Sequence, residues 1–319
     1  MIHYTTVLSN IFETDKKHNA LLQGAKMDFE RLRKDIGEKL KNVTFDEAGS
    51  YFETLIFSLS RDEFLPIISE IGTIPESFQH DSSEEKLYAK VADIVLAKAL
   101  QELGLSSNVI KTRANCADVI AKSQYHSYSL VGDAKAFRLS RTAKNQKDFK
   151  VQSMVHWKED NDFAVLVCPL FQYPRSHSQI YTQALDGNVL LFSWEHLSFL
   201  IENNITETES FSLKRIWNLS QEISSFYTRA EKQIIFLEKQ NDIFCNYTDL
   251  SRKKFDKYLT KSKDLIISRG LEGIQYYKDA ISQIEKYSRK KAISELIKSQ
   301  KINEKISAIE IYMKHLKAE

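Results

Sequence analysis

Glycine is scarce in this chain, with nine residues spread thinly over 319 positions. They form neither a Gly-x-Ser-x-Gly elbow nor a Gly-x4-Gly-Lys loop. A phosphate cradle needs backbone N–H groups that close on the ligand, and an exposed nucleophilic serine needs a sharp strained turn, so nucleotide-driven and serine-hydrolase chemistries find no support. Cysteine is scarcer still. Cys116, Cys168 and Cys245 are odd in number and lack paired metal spacing, which argues against a disulfide framework and a thiolate metal site. Cys116 and Cys168 occupy apolar strand-like runs and are expected to be buried reduced thiols. His126, His156, His177 and His196 have no second ligand at zinc-binding spacing, and His196 is expected to serve in packing. No signal-peptide pattern begins the chain and no apolar run approaches 18 residues, so a soluble cytoplasmic protein without a membrane partner is expected. Charge of one sign is also lacking: 45 basic against 43 acidic residues leave a formal charge of +2. Any affinity for nucleic acid must therefore come from local clustering.

The chain does contain two carboxylates and an amine on adjoining β-prone runs. Asp118 opens the run Val119-Ile120-Ala121, and Asp133-Ala134-Lys135 lies within a second run from Tyr128 to Phe137. The acid-x-Lys pattern recurs at Asp15-Lys17, Glu84-Lys86 and Asp148-Lys150, but only Asp133-Lys135 has strand surroundings. Strand side chains alternate between faces, so Asp133 and Lys135 project together. The polar stretch 122–127 reads as a hairpin connection, and antiparallel pairing would let Asp118 and Asp133 share a hard cation. Two carboxylates suit Mg²⁺, with the Ala134 backbone carbonyl as a further ligand. Lys135 would orient or help deprotonate an attacking water. This is the equipment of a phosphodiesterase, although spacing alone fits an ordinary ion pair equally well.

Five cations follow within thirteen residues, Arg138, Arg141, Lys144, Lys147 and Lys150, with Asp148 the single acid among them. Such a segment suits DNA phosphates and gives salt-dependent affinity. Asn145 and Gln146 have the paired donor and acceptor that suit adenine, and Arg141 has the fork that suits guanine.

Three zones follow from periodicity: a helical N-terminal region (1–81), a core (82–220) and a helical C-terminal region (221–319). Ser60 to Glu63 and Ser82 to Glu85 resemble capping boxes. The helix after Ser82 aligns Leu87, Val91, Ile94, Val95 and Lys98, with Asp93 expected at its surface or at the core edge. Strands are expected at 118–121, 128–137, 163–169 and 188–192, and helices at 146–158 and 178–185, which gives an α/β fold with a mixed sheet flanked by helices. Gly270 and Gly273 are expected to punctuate the C-terminal helices. Ile302, Ile306, Ile309, Met313 and Leu316 form an apolar seam, read either as a contact within the subunit or as a helical dimer contact.

The stretch from Asp133 to Val151 is similar, almost letter for letter, to the HindIII restriction endonuclease family. Further matching blocks are Glu85-Lys86-Leu87, Asp93 to Ala99, Phe171-Gln172-Tyr173-Pro174 and Asn188 to Leu197, within a clear likeness over 50–220. The resemblance implies a PD-(D/E)xK nuclease with Asp118 and Asp133 as metal ligands, Lys135 as catalytic lysine and Mg²⁺ as cofactor. Ala117 stands where the pattern has proline, which removes no reacting group. Nucleases of this class often add a helical glutamate, and Glu85 is the candidate, with a competing role in its capping box. The resemblance further implies a homodimer acting on double-stranded DNA at a palindrome, AAGCTT, with 5′-phosphate ends and a companion methyltransferase in the host. Rival readings are a structure-selective or repair nuclease on the same fold, and a non-enzymatic DNA-binding helical protein.

Overall fold

A computed structural model describes residues 27–111, 116–141, 146–174, 178–225 and 233–316. Residues 16–26 of the expected helical preface, and Lys144, Asn145 and His177, lie outside the described residues. Two compact units are present, Met1–Arg269 and Gly270–Glu319.

The larger unit is built on a five-stranded mixed sheet in the order β1-β2-β3-β4-β5. The strands are β1 (Leu105–Val109), β2 (Val119–Ser123), β3 (Ser129–Ala134), β4 (Phe163–Cys168) and β5 (Val189–Ser193). β1, β2 and β3 pair antiparallel, whereas β4 and β5 join in parallel. Burial follows that division. β1 alternates between buried and exposed positions, while every residue of β4 and β5 is buried. Parallel strands covered on both faces need the continuous apolar runs Phe163-Ala164-Val165-Leu166-Val167-Cys168 and Val189-Leu190-Leu191-Phe192.

Four helices precede or flank the first strands: α1 (Phe29–Lys39), α2 (Phe45–Ser58), α3 (Arg61–Glu70) and α4 (Ser83–Glu102). α3 begins with the expected box, in which the Ser60 N–H and hydroxyl both donate to Glu63, at 3.1 and 2.6 Å. α4 buries Leu87, Val91, Ile94 and Val95 in a core that also holds Phe52, Phe64, Leu130, Phe192 and Phe255. Gly132 on β3 permits this close packing, since a Cβ there would stand 3.1 Å from Leu96 Cδ2. A second core joins Val131, Leu166 and Leu191 to Phe149, Met154 and Tyr181.

Several expectations need correction. β1 was not expected, because Ser106 and Ser107 mask its alternation. β3 ends at Ala134 and not at Phe137: the chain leaves β4 and pairs with residues 72–74, Phe137 N–H donating to the Gly72 carbonyl at 3.0 Å. The helix expected at 146–158 is two, α5 (Gln146–Phe149) and α6 (Val151–Trp157), broken where Lys150 takes a left-handed conformation with φ of 50°. The other core helices are α7 (Gln179–Gly187), α8 (Trp194–Glu202), α9 (Lys214–Trp217), α10 (Leu219–Ser224) and α11 (Gln233–Thr248). Neither Gly270 nor Gly273 punctuates anything. α12 (Arg252–Ile284) runs through both, because about 1 kcal/mol per glycine is too little to stop a helix of otherwise good formers. The smaller unit continues with α13 (Arg289–Ser299), capped by Ser288, and α14 (Ile302–Leu316). Ile306, Ile309 and Met313 of the seam are exposed. Among the described residues, no helix is long and apolar enough to cross a membrane.

Candidate active site

The β2–β3 hairpin brings the two aspartates together. Its register pairs Val119 with Gly132, and one step further sets Asp118 opposite Asp133, with Asp118 N–H donating to the Gly132 carbonyl at 3.1 Å. Opposite residues of an antiparallel pair share a face, so both carboxylates turn the same way. The far end of the hairpin is pinned by buried Glu207, which accepts bonds from Ser123 Oγ, Tyr128 Oη and Leu213 N–H. Burial and the bond to Glu207 raise the Tyr128 phenol above its ordinary range, so this anchor keeps its proton.

Lys135 follows at the end of β3, where its N–H donates to the Val167 carbonyl at 2.7 Å. Its ammonium pairs with Asp133 Oδ2. The carbonyl of Lys135 accepts from Trp194 Nε1 at 2.9 Å. Gly72 leaves room for that indole: a Cβ at Gly72 would lie 2.6 Å from Trp194 Cδ1 and 2.7 Å from Pro169 Cγ. Trp194→Phe should therefore leave the carbonyl without its donor, at a cost of about 1–3 kcal/mol, and loosen the end of β3. Urea unfolding checks this, and an unchanged midpoint would mean that the indole does not hold the strand.

Asp133 is 1% exposed, and neither carboxylate oxygen has a hydrogen bond of good geometry, the Lys135 contact being an ion pair. Asp118 is half-buried. Burial first, then its close approach to and repulsion from the Asp133 carboxylate, push its carboxyl up to about 8, against the pull of Lys135 and Lys150. A third acid joins them, since Asp93 lies one turn before Leu96 on α4. Burial raises its carboxyl well above the ordinary range, and repulsion from Asp118 and Asp133 adds to this. On Lys135 burial works toward deprotonation, but Asp133, Asp118 and Asp93 outweigh it and hold the amine cationic. Three acids thus face one buried amine. Three carboxyl groups with a single buried ammonium between them are the setting a divalent cation completes, so the residues fit the metal that the sequence pattern implies.

Asp93 and Asp118 line a cleft of about 950 Å³ together with Phe45, Lys86, Lys90, Lys150 and Trp157. Sequence reasoning set Asp93 at a surface or core edge and gave Lys150 no separate role. The only signal for Asp93 was its place one heptad after Lys86 on the helix, which cannot tell a cleft from solvent.

Glu85 takes a different place. Its carboxylate accepts from the Asp81 N–H at 2.7 Å and pairs with Arg138 at 2.9 Å, so the reciprocal half of the expected box reaches Asp81 and not Ser82. His80, Asp81 and Glu85 have ligand atoms within 4.8 Å of one another, a cluster compatible with a divalent cation. His80 and Asp81 are exposed there, and the Arg138 guanidinium already serves Glu85. Arg138 is turned inward, its other contact being the Pro75 carbonyl at 3.2 Å. Arg141 is partly exposed and pairs with Asp148 at 2.6 Å, while Lys147 is exposed and Gln146 half-buried.

His196 packs as expected, fully buried between Ser193 and Asn241, with burial lowering its imidazole to about 3. Cys168 is buried as expected, but Cys116 is only half-buried because it lines the cleft.

The sequence profile of the HindIII restriction endonuclease family matches residues 42–312. The type II restriction enzyme HindIII of Haemophilus influenzae is 41% identical over 281 residues, which is 88% of this chain and 94% of that relative. Among solved structures, the restriction endonuclease FokI aligns with 56% of this chain and 34% of its own at 12% identity, with a TM-score of 0.34. That score is too low to carry an argument.

Proposed function

The chain belongs to the HindIII restriction endonuclease family, and from that membership we propose that it is a type II restriction endonuclease, hydrolysing double-stranded DNA at a palindrome with Mg²⁺. The observation that carries this reading is the convergence of Asp118, Asp133 and Lys135 at the open end of one hairpin, with Asp118 lining a cleft and Asp133 buried behind it against the Lys135 ammonium.

Asp118 and Asp133, with the Ala134 carbonyl, would hold the cation, and Asp93 supplies a further acid from α4. When bound, Mg²⁺ supplies charge neutralisation at the phosphate and a more acidic water. Lys135, anchored through its own backbone by Val167 and Trp194, stands beside Asp133, where it can orient the attacking water and offset negative charge on phosphorus. Glu85 acts here by holding Arg138, and Arg138 in turn braces the start of the basic segment against Pro75. Lys144, Asn145, Gln146 and Lys147 are then the proposed contacts to the duplex, joined by Arg141 if DNA draws its guanidinium from Asp148. A palindrome suits two identical subunits, each cutting one strand. The proposed target is AAGCTT, cut to leave 5′-phosphates, and a companion methyltransferase would protect the host's own copies.

Plasmid digestion in Mg²⁺ with sequencing of the ends tests the whole reading. Discrete fragments ending within every AAGCTT are expected. Smearing, or cutting confined to junctions, would replace it with a structure-selective nuclease.

A further inference from the structure

Four lysines line the cleft beside the carboxylates: Lys86, Lys90, Lys111 and Lys150. Two of them are engaged across it by acids of α2, Lys90 with Asp46 at 3.8 Å and Lys111 with Glu53 at 3.6 Å. Lys150 forms no ion pair among the described residues and is exposed. Its charge nevertheless acts, like that of Lys135, on both Asp93 and Asp118.

Its backbone is specialised as well. Lys150 joins α5 to α6 with φ 50° and ψ 30°, a left-handed conformation that costs a non-glycine residue of order 1 kcal/mol. The ammonium stands 5.4 Å from the centre of the Trp157 ring, a cation–π contact from a residue of the same cleft wall. A left-handed turn between two short helices redirects the side chain, and Trp157 steadies the stem. Glycine would relax this junction and lose the amine, so the lysine is unfavourable for the backbone alone.

We infer that Lys150 binds the DNA backbone at the carboxylate centre, touching a phosphate of the strand being cut. This rests on the nuclease reading and deepens it. Lys135 is tied to Asp133 and placed for the attacking water, whereas Lys150 has no ion-pair partner among the described residues and its charge reaches the same carboxylates. It therefore differs from Arg138, which is turned inward, and from Arg141, which is held by Asp148.

The test uses Lys150→Met, Lys150→Gly and Lys150→Arg in the full-length enzyme with a duplex containing one recognition site. Single-turnover cleavage should fall about tenfold to a hundredfold in the first two and much less in Lys150→Arg. Lys150→Gly should be at least as stable to urea as the parent, which separates loss of the amine from loss of fold. The slope of log affinity against log salt should drop by about 0.9 for each phosphate no longer neutralised, hence by about two for a dimer, with Lys150→Arg keeping the parental slope. A lysine serving only the α5–α6 junction would leave that slope untouched. Parental slope and rate in Lys150→Met would overturn the inference while the parent's own cleavage still upholds the nuclease. A parent that does not cut at all would remove the premise as well.

Discussion

Asp133→Asn should stop DNA cleavage and at the same time make the metal-free protein harder to unfold. The loss of activity follows from removing a charged ligand of the proposed metal centre, and a fall of about a thousandfold or more is expected. The gain in stability follows from the crowding of Asp93, Asp118 and Asp133 around the single buried amine of Lys135. Without a metal, the anions in excess of that cation are uncompensated, and each is poorly solvated. Because Asp118 and Asp93 still face Lys135, replacing Asp133 by a neutral amide of the same shape does not strand the amine, and it should raise stability by roughly 1–3 kcal/mol at pH 8 in chelator. The pH dependence has a definite sign. Asp118 loses its proton near pH 4 when unfolded but holds it to about 8 when folded, so its contribution makes metal-free stability fall as pH rises from 4 to 8, and Asp93, raised in the same direction, adds to the decline. Asp133→Asn removes two of the causes of that shift but not burial, the largest, so the decline should shorten without vanishing. Its advantage over the parent should be greatest at pH 8 and fade toward pH 4. Urea unfolding in chelator at several pH values reads this, and a variant less stable than the parent at pH 8 would mean that Asp133 is held by partners other than its neighbouring acids.

The hairpin was legible in the sequence because its signals are local. Strand alternation set Asp133 and Lys135 on one side, and the polar stretch between the runs implied antiparallel pairing, from which the register of Asp118 follows. β4 and β5 were equally plain, since strands buried on both faces read as unbroken apolar runs. What escaped depends on groups distant in sequence. Asp93 reaches the centre because Gly132 lets α4 settle against β3 at Leu96, and nothing in the helix's own periodicity reports that approach. Lys150 looked like one more cation in a basic stretch until the left-handed turn redirected it. Glu85 had a sound local explanation in a capping box, but its carboxylate is drawn instead to Arg138, fifty-three residues away. The continuation of α12 through two glycines shows the opposite error, a local rule given more weight than the strong helix formers around it.

Lys135→Met should abolish cleavage as fully as Asp133→Asn but move stability the other way. The Lys135 side chain is 15% exposed, and its ammonium is the one buried cation among the three acids. Replacing it by an apolar chain of similar length keeps the packing and removes the charge, leaving Asp133 buried without its counterion. Breaking a buried pair from one side costs about 3–5 kcal/mol, so the metal-free variant should unfold at markedly lower urea concentration. Saturating Mg²⁺ should recover much of that loss, because a divalent charge neutralises the same carboxylates, yet cleavage should stay about a thousandfold down, since no amine is left to act on water or phosphate. The double variant Lys135→Met, Asp133→Asn then separates the two roles: with fewer acids and no amine it should regain stability toward the parent, a coupling expected of groups that touch, while remaining inactive. If Lys135→Met cut DNA within tenfold of the parent, the amine beside Asp133 would be an ion-pair partner only, and the attacking water would have to be positioned by another group in the cleft.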